Sequence, residues 1–138
     1  MALTREEILS MNDINVKEIT VPKNIPTWGG HKLFIKQLTR GDQDTYLKRQ
    51  FGSGKLKSGA PEIDMEGLYG NDSWLCSRGI CDEKGIVIFG RDDIQELDKH
   101  SGEFIGWAAS QILDYSGMLK DVKTAKELNK AVQEELKN

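Results

Sequence analysis

Between Val16 and Leu38 the chain reads VKEITVPKNIPTWGGHKLFIKQL. Two alternating runs, Val16–Val21 and Lys32–Leu38, flank a connection punctuated by Pro22, Pro26 and the turn signal Trp28-Gly29-Gly30. A period of two places Ile19 and Val21 on one face, the pattern of a half-buried strand. The connection is too short for a crossover helix, so the strands are expected to pair antiparallel. Outward from this hairpin the signals are mostly helical. The predicted fold class is α+β: a small antiparallel β-sheet or hairpin near the N-terminus with a mainly helical remainder.

Upstream, Thr4 and Glu7 form the capping signature of a short helix that carries Ile8, Leu9 and Met11 and stops at Asn12-Asp13. Downstream, Thr39-Arg40-Gly41-Asp42 opens a second helix, with its acid three residues after the threonine. Tyr46, Leu47 and Phe51 supply its apolar contacts, and Gly52 ends it. Residues 52–61 hold three Gly, two Ser and one Pro, which predicts a mobile loop inside one domain. Apolar residues recur from about Ile63 to Ile80, interrupted by Gly67 and Gly70. Asp82-Glu83-Lys84-Gly85 reads as a tight turn before the extended piece Ile86–Phe89.

The last third is helical by pattern. Arg91–Leu97 makes a short helix, and Ser101 caps a longer one bearing Phe104, Ile105, Trp107, Ala108, Ile112, Leu113 and Tyr115. That wide apolar face predicts a central helix with Trp107 in the core. Gly117 ends it, and a final helix follows from about Leu119 to Leu136. The expected organisation is a single domain over 1–138, with the loop at 52–61 and a C-terminal helix at 118–138 able to detach.

The 138 residues suit one domain. Hydrophobic residues at 38% and a net charge of −3 describe a packed chain, without the strong basic excess of a domain held to nucleic acid by charge. No run of 18 apolar residues exists to span a membrane, and Met1–Glu7 lacks the basic-then-apolar pattern of a secretory signal. Cys76 and Cys81 fit no common zinc spacing and read as free, reduced thiols.

Motifs of catalysis are partial. Asp42-Gln43-Asp44-Thr45 matches the bare D-x-D-x-T string of phosphoryl-transferring aspartates, but sits at a helix start and not at the end of a buried strand. Gly52-Ser53-Gly54-Lys55 fails the phosphate-loop pattern, because Arg49 and Leu56 stand where a glycine and a hydroxyl belong. Neither His31 nor His100 has a Cys, Ser or Asp arranged with it in a recognisable nucleophile motif. Asp82, Glu83, Asp92 and Asp93 lack calcium-loop spacing. Lys48, Arg49, Lys55 and Lys57 make a small basic patch with Phe51 its one nearby aromatic, which is thin for nucleic acid. The expectation is a protein with no enzymatic activity and no cofactor.

The order of these pieces resembles the phage tail assembly chaperone family of long-tailed bacteriophages and prophages. The resemblance is carried by Leu3–Leu9, Val21-Pro22, Trp28-Gly29-Gly30, the strand Lys32–Leu38 running into Thr39–Asp44, and Asp82–Gly85 with Ile88–Ile94 and Leu97. It covers most of residues 1–115, with Lys23–Thr27 inserted between two of its pieces. It implies a non-catalytic protein of the host cytoplasm, absent from the mature virion, that binds the tape measure protein and promotes tail tube assembly around it. Its partners would be the tape measure and tail tube proteins, with self-association open. The alternatives are a structural tail or head–tail connector component retained in the virion, or a small nucleic-acid-binding regulator.

The candidate partner-binding residues are Met118, Val122, Ala125, Asn129, Val132 and Leu136. Their 4-3-4-3-4 spacing places them on one narrow helical stripe, interrupted by Asn129. Such a stripe would suit an apolar helical client or a second copy.

Overall fold

Val16–Thr20 (β1) and Lys32–Lys36 (β2) pair antiparallel as expected, in a computed structural model that describes residues 1–51, 56–57, 60–61 and 70–118. Thr20 lies opposite Lys32, and Val16 opposite Lys36. The ladder continues past β1, where the Val21 N–H donates to the His31 carbonyl at 2.8 Å and the Gly30 N–H to the Val21 carbonyl at 2.9 Å. Ile19, Val21 and Ile35 face inward and are buried. The inserted connection also contributes to the core, because Ile25 is 3% exposed. Its chain doubles back so tightly that a Cβ on Gly29 would stand 2.7 Å from the Lys23 carbonyl oxygen, which only glycine avoids.

Arg5–Ser10 forms α1, capped by the Thr4 hydroxyl, which accepts from the Glu7 N–H at 3.2 Å. Arg40–Phe51 forms α2, where Thr39 plays the same part for Asp42 at 3.1 Å. Leu56–Lys57 (β3) pairs antiparallel with Ala60–Pro61 (β4), within the stretch expected as a mobile loop; the rest of that stretch lies outside the described residues. Asn71–Gly79 (α3) runs directly into Ile80–Cys81 (β5), which pairs antiparallel with β2 and completes a three-stranded sheet in the order β1-β2-β5. The third strand went unread because two residues carry no period. The expected turn follows, with the Asp82 carboxylate accepting from the N–H groups of Lys84 and Ile86 at 2.8 and 3.0 Å.

Asp93–Leu97 forms α4 and Gly102–Tyr115 forms α5, capped by the Ser101 hydroxyl. Phe104, Ile105, Ala108, Ala109 and Ile112 are the buried face of α5 and meet α3. The approach is close: a Cβ on Gly79 would stand 2.5 Å from the Ile112 Cδ1. Trp107 corrects the expectation of a core tryptophan. It is half-buried at the margin. At 100° per residue it falls roughly 130° from the centre of the buried face.

One buried cluster joins the hairpin, Tyr46 of α2, α3 and α5. The sheet is fastened to the end of α5: the Leu38 N–H donates to the Ser116 hydroxyl at 2.9 Å, and the Gln37 side-chain amide donates to the Tyr115 carbonyl at 3.2 Å. Among the described residues no helix is long and apolar enough to cross a membrane.

Candidate functional site

The turn Lys23–Gly30 pushes Trp28 off the end of the hairpin, where it meets the start of α5. Its indole stacks on Phe104, with ring centres 4.0 Å apart and planes 8° from parallel, and His100 stands edge-on to it at 5.9 Å. These rings border an open cleft of about 530 Å³, within the usual size of binding pockets. Leu33 of β2, Ile80 of β5, Phe89, and Leu97 of α4 make the rest of its apolar lining. Thr27, His31, Lys32 and His100 supply its polar atoms, and among the described residues no carboxylate lines it. Each wall comes from a different element, so the surface is legible only after folding.

A second cavity of about 410 Å³ lies on the other side of Leu97 and His100. Tyr46, Asn71, Asp72, Ser73 and Asp98 line it. The buried Ser73 hydroxyl donates to the Asp98 carboxylate, and among the described residues no imidazole accepts from it. A serine held by a carboxylate alone lacks the base that would make it a nucleophile. Desolvation raises the Asp72 carboxyl above the usual carboxylate range, although the residue as a whole stays exposed. Burial, and then the Asp72 charge, raises the Tyr46 hydroxyl in the same way. Behind them the Cys76 thiol is pushed up to about 12, first by burial and then by Asp72.

The partial motifs resolve into structural contacts. Asp42 is paired with Arg78 of α3 at 3.4 Å, and Asp44 with Arg40 at 3.3 Å, which commits both acids of the D-x-D-x-T string. Arg49 of the basic patch donates to Asn71 at 3.3 Å and lies over the Trp74 ring at 5.6 Å. Lys48 is exposed, while the Lys55 and Lys57 side chains lie outside the described residues. Asp93 accepts from the Gly90 N–H at 2.7 Å. Among the described residues no three His, Cys, Asp or Glu side chains gather to hold a metal ion.

Of the candidate partner-binding stripe, Met118 is 7% exposed and belongs to the core. Val122, Ala125, Asn129, Val132 and Leu136 lie outside the described residues. The cleft was missed because Trp28 read as turn punctuation, Phe104 as ordinary core and His100 as a lone surface histidine. No family model matches this chain, and neither a curated protein nor a solved structure matches it.

Proposed function

We propose that this chain is a non-catalytic binding protein, a phage tail assembly chaperone that holds apolar helical segments of the tape measure protein in the host cytoplasm until tail tube subunits replace it. The observation that supports this reading is the open apolar cleft bounded by Trp28, Leu33, Phe89 and Phe104. The order of motifs from Leu3 to Leu97 gives the reading its direction. A helical client buries leucine-like side chains in such a cleft, and a rim of imidazole and ammonium groups meets its polar flanks. Reversible holding of an aggregation-prone helix needs apolar area and no chemistry.

Co-expression with the tape measure protein of the same phage tests this. The full chain keeps that client soluble and co-purifies with it, whereas Trp28→Ala loses the client with its circular dichroism unchanged. A client that stays insoluble beside the full chain overturns the reading. Recovery of the chain from purified virions would move it to the structural-component alternative.

A further inference from the structure

The α1 arm has no buried residue. Leu3, Ile8, Leu9 and Met11 are 56%, 57%, 67% and 53% exposed, an unusual concentration of large apolar side chains on so short a segment. Leu3–Asp13 also carries three acids, Glu6, Glu7 and Asp13, against the single base Arg5. The cleft has the opposite character: an apolar floor, N–H donors from His31, Lys32 and His100 at its rim, and, among the described residues, no carboxylate in its lining. Lys32 shares Glu18 at 3.6 Å but remains 67% exposed, open to a second carboxylate.

The arm does not sit in the cleft of its own chain. It enters the sheet at the Val16–Lys36 end, where the Asn15 N–H donates to the Gln37 side chain at 3.0 Å and the Gln37 N–H to the Asn15 carbonyl at 3.1 Å. The cleft mouth is at the Thr20–Lys32 end, about 13 Å away along the strand at 3.3 Å per residue. We propose that the α1 arm of one copy lies in the cleft of a second copy, Ile8 and Leu9 on the apolar floor and Glu6 and Glu7 toward the His31–Lys32–His100 rim. Exchanged reciprocally, two arms fill two clefts and close a two-fold dimer. The proposal rests on the cleft and not on the identity of its client, and it makes client and second copy competitors for one surface.

Sedimentation of the full chain over a range of concentrations is the first measurement. A dimer that dissociates on dilution is expected. Ile8→Glu with Leu9→Glu should weaken it by about tenfold or more, because a charge would have to enter the apolar floor. At concentrations where the parent is also monomeric the melting temperature should equal the parent's, since neither side chain is buried in its own chain. A synthetic peptide of residues 3–13 added to this monomeric variant should shift the Trp28 indole resonance, and Trp28→Ala should abolish binding. A monomeric parent, a dimer that survives the double substitution, or a peptide that shifts Trp74 or Trp107 in place of Trp28 would each overturn the proposal. A dimer with these properties that ignores the tape measure protein would leave this inference standing and remove the chaperone reading.

Discussion

Gly79 of α3 packs directly against Ile112 of α5, with the isoleucine side chain filling the space where a Cβ at 79 would project. Ile112 is fully buried, so it has nowhere to retreat. Gly79→Ala should therefore destabilise the fold by about 1–3 kcal/mol, the usual cost of overpacking, in spite of alanine's better helix propensity. Urea denaturation measures it. Pairing the substitution with Ile112→Val should recover part of the loss.

The hydroxyl cap of α2 should be worth about 0.5–2 kcal/mol, read as the loss on Thr39→Ala. Thr39→Ser keeps the acceptor and should stay near the parent in the same denaturation experiment.

Asp72 sets a pH dependence whose sign follows from its environment. Desolvation raises its carboxyl in the folded state above the unfolded value, so folding favours the protonated form. The penalty for the charged form is complete above the folded pKa and vanishes below the unfolded one. Asp72→Asn should raise the melting temperature at pH 7, with the gain fading as the pH falls through the carboxylate range toward 3. A gain that grew on acidification would contradict the assignment.

The thiols should be slow. Cys76 is fully buried, donates weakly to the Ile105 carbonyl at 3.6 Å and titrates near 12; burial also raises Cys81, with Lys36 pulling the other way. At pH 8 an aromatic disulfide reagent should label neither in the native protein and both in full denaturant, with Cys81 the first to react as urea rises.

Trp107→Ala should cost about 1–2 kcal/mol, below the 3–5 kcal/mol typical of a fully buried aromatic, because the indole sits on the margin of the core. Equilibrium unfolding in urea checks it against Phe104→Ala, which should cost more.

The hairpin, the caps at Thr4, Thr39 and Ser101, and the Asp82 turn were legible because each is written within a few neighbouring residues. Ile19 and Val21 announce their face by alternation alone, whereas Ile35, preceded by Leu33 and Phe34, does not. Trp107 misled because composition marks a helix as apolar, whereas angle about the axis decides which side chain is covered. β5 was invisible for another reason: Ile80 and Cys81 are a strand only because β2 lies beside them. The cleft depends on Trp28, Leu33, Phe89 and Phe104, contributed by three separated stretches of the chain. No spacing rule connects a turn tryptophan to a phenylalanine many residues later, so their stacking is a property of the fold.

The bonds from Leu38 to Ser116 and from Gln37 to Tyr115 each close a loop of 78 residues. On a ribosome the C-terminal end of β2 is synthesised early and its hydrogen-bond partners late. Until Tyr115 and Ser116 have left the exit tunnel, the Leu38 N–H and the Gln37 side-chain NH2 have only water to donate to, although the Gln37 side-chain oxygen can already accept from Asn15, and Met118 is not yet available to the core. The hairpin can form on the nascent chain within microseconds, but its attachment to α5 waits for nearly the whole of the described fold to be translated.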